Sequence, residues 1–126
     1  MTKKIGLMVL LLSVAFILVG CSKSTFKNDE LNVLRGEVQE YQCENNVRVQ
    51  VKYYSLSDYS LNFVKLKLPN EPEITLVGVP SGSGERYSNE SLEWWEKGNE
   101  AFVQRRHQNQ EWQFMYRGCH VVEGRN

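Results

Sequence analysis

The chain has 126 residues, with fifteen basic and fifteen acidic side chains, two histidines and three cysteines. That length suits one domain, and the charge balance argues against a nucleic-acid binder, whose surface carries a basic patch. Removal of the first twenty residues, argued next, takes away Lys3 and Lys4 but no acid, so thirteen basic side chains remain against fifteen acidic ones, a formal charge of −2.

Lys3 and Lys4 precede an almost unbroken apolar run from Ile5 to Val19. The run is shorter than the roughly 20 residues a spanning helix needs. A positive flank followed by a short apolar stretch is the pattern of a secretory signal peptide. Leu18-Val19-Gly20-Cys21 reads as a lipobox, in which a small residue lets the peptidase approach the backbone before the cysteine. Residues 1–20 are therefore expected to be cleaved and Cys21 to be lipidated. Several acyl chains on one cysteine hold a protein stably where one chain alone is marginal. The competing readings are an uncleaved membrane anchor and a signal peptide that ends at cysteine by chance. Ser22, rather than an aspartate, follows the cysteine and favours the cell outer membrane, with the domain facing the periplasm or the surface. Residues 21–36 are polar and mixed and read as a tether, with a short helical turn expected near Leu31 to Leu34. The folded domain is expected over residues 37–126.

From Glu37 onward the hydrophobic pattern has a period of two, the signature of half-buried strands. Val47, Val49, Val51 and Tyr53 alternate with Arg48, Gln50, Lys52 and Tyr54. Leu61-Asn62-Phe63 alternates, and Val64 to Leu68 then alternates in the opposite phase, which predicts a bulge or a change of face. Ile74 to Val79 forms a compact apolar run between Pro72 and Pro80. Leu92 to Trp95 and Ala101 to Gln104 are two further strands. Trp112, Phe114 and Tyr116 alternate with Gln113, Met115 and Arg117. Turn signals separate these runs, at Ser57-Asp58, Pro69-Asn70, Ser81 to Gly84, Gly98-Asn99 and Gln108-Asn109. Short strands with frequent turns predict an all-β antiparallel sandwich or barrel. Lipidation consumes Cys21, and in an exported, oxidising setting Cys43 and Cys119 are expected to form one disulfide. The alternative is a pair of buried unpaired thiols.

The sequence carries no enzyme signature. His107 and His120 lack Cys, His or acidic partners at metal-ligand spacing, and no metal or other cofactor is expected. Gly82-Ser83-Gly84 is neither a nucleophile elbow nor a phosphate-binding loop. A glycosidase pair among Glu85, Glu90, Glu93, Glu96 and Glu100 would need a separation that sequence does not give, and these acids read as a solvated face. Asn89-Glu90-Ser91 matches a glycosylation sequon that a bacterial lipoprotein has no reason to use. Two segments stand out. One is the glycine-rich loop Ser81 to Tyr87 with its Glu85-Arg86 pair, where glycines permit close approach of a partner. The other is Trp94-Trp95-Glu96-Lys97-Gly98. On composition alone they read first as a hairpin turn and a core strand.

Tyr41-Gln42-Cys43, Ser81-Gly82-Ser83-Gly84-Glu85-Arg86-Tyr87, Trp94 to Ala101 and the late Cys119 resemble the membrane-bound and periplasmic inhibitors of c-type lysozyme, over about residues 39–120. The resemblance implies a small antiparallel β-barrel and a c-type lysozyme as protein partner. It implies that Ser83 and Lys97 reach into the lysozyme cleft, that Gly82, Gly84, Arg86 and Tyr87 belong with them to the lysozyme-binding site, and that Arg86 and Tyr87 shape or support the loop. Cys43 and Cys119 fall where members of that family carry their disulfide. Trp94 stands where many members have another aromatic, and Phe102 where some have a small polar residue. The runner-up reading is a structural or adhesion envelope lipoprotein on the same barrel, which needs neither Ser83 nor Lys97.

Overall fold

The structure is a computed structural model that describes residues 30–123 together with Gly20 and Phe26. The apolar leader and Cys21, on which the signal-peptide and lipidation readings rest, lie outside the described residues. Eight strands follow in chain order: β1 (Val33–Gln42), β2 (Arg48–Leu56), β3 (Asn62–Lys67), β4 (Ile74–Val79), β5 (Glu85–Ser88), β6 (Leu92–Lys97), β7 (Glu100–Arg106) and β8 (Trp112–Val121). Each is antiparallel to its sequence neighbours, and β1 meets β8, closing the sheet into a barrel. This is the all-β barrel that the resemblance implied.

Eight strands enclose an interior that side chains alone can fill. Alternation points Val49 and Val51 of β2, Val64 and Leu66 of β3, Leu76 of β4, Trp94 of β6 and Val103 of β7 inward, and all are fully buried. Cross-strand pairs set the layers: Val51 lies opposite Leu66, Val64 opposite Leu76, and Trp94 opposite both Tyr87 and Val103. Tyr41 meets the Trp94 ring edge-on at 4.9 Å, a favoured aromatic geometry.

Several expectations need correction. No helical turn occupies Leu31 to Leu34. β1 begins at Val33, so the stretch read as tether includes the first four positions of a strand. β1 is exposed at every position except Tyr41, so it carries no inward apolar row to be read. The segment Glu85 to Tyr87, read as loop, is part of β5. That strand has one inward apolar residue, Tyr87, too few to show a period. β3 has no slip of phase: its pairing runs unbroken from Asn62 to Lys67, with Phe63 outside the barrel and stacked on Tyr54 at 5.0 Å. Irregularities sit in β1, between Arg35 and Val38, and twice in β8, where Ala101 pairs with Cys119 and Val103 with Tyr116, but Gln104 pairs with Phe114. The extra residue, Met115, packs on the core together with Tyr116, while Phe114 is left 56% exposed. The acids read as a solvated face also divide, since Glu93 is 2% exposed and Glu96 half-buried.

The seam is the weak line of the barrel. β1 and β8 pair only at Tyr41 with Val121 and Gln42 with His120, extended by a bond from the Val122 amide to the Glu40 carbonyl at 2.8 Å. The disulfide Cys43–Cys119 crosses beside it and joins residues 76 apart in sequence. A loop of that length restricts the unfolded chain by about 4 kcal/mol in the chain-entropy model. Replacing both cysteines by serine is therefore expected to lower the unfolding free energy by about 2–5 kcal/mol. Urea unfolding of the two proteins checks it, and coincident midpoints would refute it.

Strand order also decides what shares a rim. In an up-and-down barrel successive turns alternate between the two ends, so the turns after β2, β4 and β6 lie together. The chain enters β1 at that same rim, where the Ser57 amide donates to the Asn32 carbonyl at 2.9 Å.

Candidate functional site

The turns after β4 and β6 present Ser81 to Gly84 and Gly98-Asn99. β5 and β6 are registered with Glu85 opposite Glu96 and Arg86 opposite Trp95, which sets Gly84 beside Lys97. The contact is very close. A Cβ on Gly84 would lie 1.9 Å from the Glu96 carbonyl oxygen, and the residue has φ of +67°. Only glycine meets both demands. Gly98 has φ of +60° as the first of two residues between the paired Lys97 and Glu100, the place where a two-residue hairpin turn calls for glycine. Gly82 faces open space.

Trp95 ties the two turns together. Its indole N–H donates to the Ser83 carbonyl at 2.9 Å. The Lys97 ammonium sits 4.0 Å from the centre of the same ring, within cation–π range. The Arg86 guanidinium lies 5.4 Å from that centre on β5. Ser83 is further held by its neighbour, since the Ser81 hydroxyl donates to the Ser83 carbonyl at 2.6 Å. The backbone of the loop tip is thus fixed while the side chains of Ser83 and Lys97 remain exposed. Phe102 packs on Trp95 at 5.7 Å and Phe114 on Phe102 at 5.1 Å, extending an outer aromatic row.

Arg86 anchors the base of the loop by donating to the Pro80 carbonyl at 3.0 Å. Its Nε lies 3.1 Å from a carboxylate oxygen of the buried Glu93, but the N–H is not aimed at it, so the contact is an ion pair without a directed hydrogen bond. Gln104 satisfies the other Glu93 oxygen at 2.8 Å. Tyr87 points the opposite way, into the barrel, and is 5% exposed. It supports the rim from within and offers no surface to a partner. Asn89 organises the turn after β5, its side-chain oxygen accepting from the Ser91 and Leu92 amides at 2.8 and 2.7 Å.

Inside the same rim lies a polar group that the sequence reading missed. One carboxylate oxygen of Glu96 accepts from the Trp94 indole at 3.0 Å, from the Tyr41 hydroxyl at 3.2 Å and from the Tyr53 hydroxyl. The two phenols also touch each other at 3.0 Å. Burial pushes the Tyr53 phenol far above its ordinary 10, and the hydrogen bond to Glu96 adds to the effect. Tyr87 is pushed up by burial and then by the nearby Glu85 carboxylate. Tyr41 rises through burial, partly offset by its bond to Tyr53. The signal was present in the chain, because Leu92, Trp94 and Glu96 are two apart and must share the inner face, while Trp95 and Lys97 share the outer one.

Of the residues singled out in the sequence, the structure brings Ser83, Gly84, Arg86 and Lys97 around Trp95. It leaves Gly82 free at the tip and Tyr87 inside. His120 lies 3.4 Å from Glu100, beside the Gly98-Asn99 turn.

The fold resembles that in a crystal structure of Pseudomonas aeruginosa MliC in complex with hen egg white lysozyme, with a TM-score of 0.54 and 19% identity over 82% of this chain and 98% of that one. No sequence among curated proteins matches. The sequence profile of the family described as membrane-bound lysozyme-inhibitor of c-type lysozyme matches residues 41–112, more than half of the chain and including every residue gathered around Trp95. The chain belongs to that inhibitor family.

Proposed function

We propose that this protein is held by lipid on Cys21 at the outer membrane and inhibits c-type lysozyme by plugging the active-site cleft with the Ser81–Gly84 loop and Lys97. One observation carries the reading: Ser83 and Lys97 are exposed on one rim, and both are fastened to Trp95. Lysozyme works with two carboxyl groups, one a proton donor and the other ionised. The Ser83 hydroxyl hydrogen-bonds one of them and the Lys97 ammonium pairs with a carboxylate nearby. Hydrogen bonds to charged groups are stronger than neutral ones. No bond is made or broken on the inhibitor. The resemblance to the MliC–lysozyme complex supports the scaffold of this reading, and membership of the inhibitor family supports the partner.

Lysis of a peptidoglycan suspension by c-type lysozyme, with and without the purified domain from Ser22 onward, tests it. The parent is expected to inhibit. The double variant Ser83→Ala, Lys97→Ala is expected to lose about two to four orders of magnitude in potency, from about 1.5–3 kcal/mol for each charged hydrogen bond. Both side chains are exposed, so the variant should unfold in urea as the parent does. A negative chain meeting a basic enzyme should also associate more slowly as salt rises. A folded parent that inhibits none of several c-type lysozymes would sink the reading and leave the structural-lipoprotein alternative.

A further inference from the structure

We infer that Trp95 is a positioning residue for inhibition, one that holds the Ser83 loop and the Lys97 ammonium as a single pre-set unit; this rests on the inhibitor reading above. The indole has two partners that sequence separates widely. Its N–H edge takes the Ser83 carbonyl at 2.9 Å, and its face takes the Lys97 ammonium at 4.0 Å. Both partners are exposed; without the indole the Ser83 carbonyl keeps only the Ser81 hydroxyl, and the Lys97 ammonium keeps only the Phe102 ring, 6.0 Å away. A lysine at a strand end in water keeps most of its rotamer freedom, and a glycine-flanked loop keeps its backbone freedom. Binding would have to remove both, at a cost in affinity for every group immobilised.

Trp95 is itself braced from both sides. It is registered opposite Arg86 on β5 and Phe102 on β7, and Phe102 in turn leans on Phe114. The Ser83 carbonyl accepts from two sides, from the indole and from the Ser81 hydroxyl at 2.6 Å, so removing the indole N–H leaves the loop held only from within itself. The ring adds no charge and no hydroxyl to a lysozyme cleft. Its work is geometric, and it acts through Ser83 and Lys97.

A positioning role makes a prediction that direct contact does not: the effect of Trp95 must vanish when the group it positions is absent. Trp95→Phe keeps a ring under Lys97 but removes the bond to Ser83, and is expected to weaken inhibition of hen egg white lysozyme about three- to tenfold. In a Ser83→Ala background the same change is expected to cost less than twofold. Trp95→Ala is expected to cost more than Trp95→Phe, and the excess should disappear in a Lys97→Ala background. Equal losses in every background would overturn the proposal, because the ring would then touch lysozyme itself or act through overall stability. Parallel urea unfolding separates the last of these. Exchange protection of the indole N–H in the free protein supplies a reading that needs no lysozyme. Slow exchange that persists in Ser83→Ala, whose carbonyl is unchanged, together with faster exchange of the Ser83 and Gly84 amides in Trp95→Phe, supports the tie. An indole N–H that exchanges freely overturns it. A parent that fails to inhibit defeats the inhibitor reading separately, and the exchange result then decides the tie alone.

Discussion

Gly84→Ala is expected to abolish inhibition and to destabilise the barrel, while Gly82→Ala, two residues away, leaves the stability almost unchanged. The new Cβ at Gly84 would sit 1.9 Å from the Glu96 carbonyl oxygen, with φ at +67°. The positive φ alone costs an L-residue about 1–2 kcal/mol. The clash cannot be relieved by a side-chain rotation, because the opposing atom is backbone in β6, which is paired on both sides. The open end of the β5–β6 hairpin must part, and with it the bond from Trp95 to the Ser83 carbonyl. We expect a stability loss of about 2–4 kcal/mol, in the range of other core overpacking and strain effects, and a fall in potency of more than about a hundredfold. A Cβ on Gly82 meets nothing within 4 Å, and its effect should stay within about 0.5 kcal/mol. Urea unfolding and the lysis assay on the two variants measure both quantities. Equal stability of the two variants would refute the role given to Gly84.

Alkaline pH should unfold the barrel early, and the tyrosines around Glu96 are the reason. Tyr53, Tyr87 and Tyr41 all have phenols raised above 10 in the folded protein, through burial first and neighbouring carboxylates second. The folded state therefore keeps its phenolic protons at a pH where the unfolded chain, titrating near 10, has lost them. More protons bound in the folded state means that stability falls as pH rises. The contribution is whole below about pH 10 and declines from there toward the raised folded values. Each tyrosine adds up to about 1.4 kcal/mol of loss per pH unit, an upper bound because solvent reaches part of the cluster. Tyr53→Phe removes one such proton and is expected to flatten the decline. Urea midpoints measured from pH 8 to 11, with tyrosinate absorbance alongside, test this. A stability independent of pH across that range would contradict it.

The strands that could be read in the sequence are those with an inner apolar row. β2 was legible from Val49 and Val51, because burial on one face leaves a period of two, and β4 as the compact apolar run Ile74 to Val79 between Pro72 and Pro80. β1 and β5 were not, since β1 buries only Tyr41 and β5 only Tyr87. The slip assigned to β3 and the true irregularities in β1 and β8 show the other limit. Adjacent apolar residues such as Met115 and Tyr116 look alike in a sequence whether a bulge turns both inward or a strand ends. The candidate site was legible as two motifs, through Ser83, Gly84, Arg86 and Lys97. What joins them was not, because the bond from Trp95 to Ser83 spans twelve positions and depends on the β5–β6 register. Glu96 was placed among solvated acids because charge suggested water. Its parity with Leu92 and Trp94 placed it inside, where Trp94, Tyr41 and Tyr53 supply the donors that a half-buried carboxylate needs.

The rim on which the chain enters β1 is the rim that bears Ser83 and Lys97. With the anchor proposed at Cys21, eleven residues separate the lipid from Val33, and a chain of that length reaches at most about 40 Å. A small domain is about 30 Å across. On that proposed anchor the barrel stands no farther than about 40 Å from the bilayer, with the rim of Ser83 and Lys97 on the side where the chain enters β1. The proposed inhibitor would therefore meet lysozyme only within about one domain's depth of the membrane that holds it.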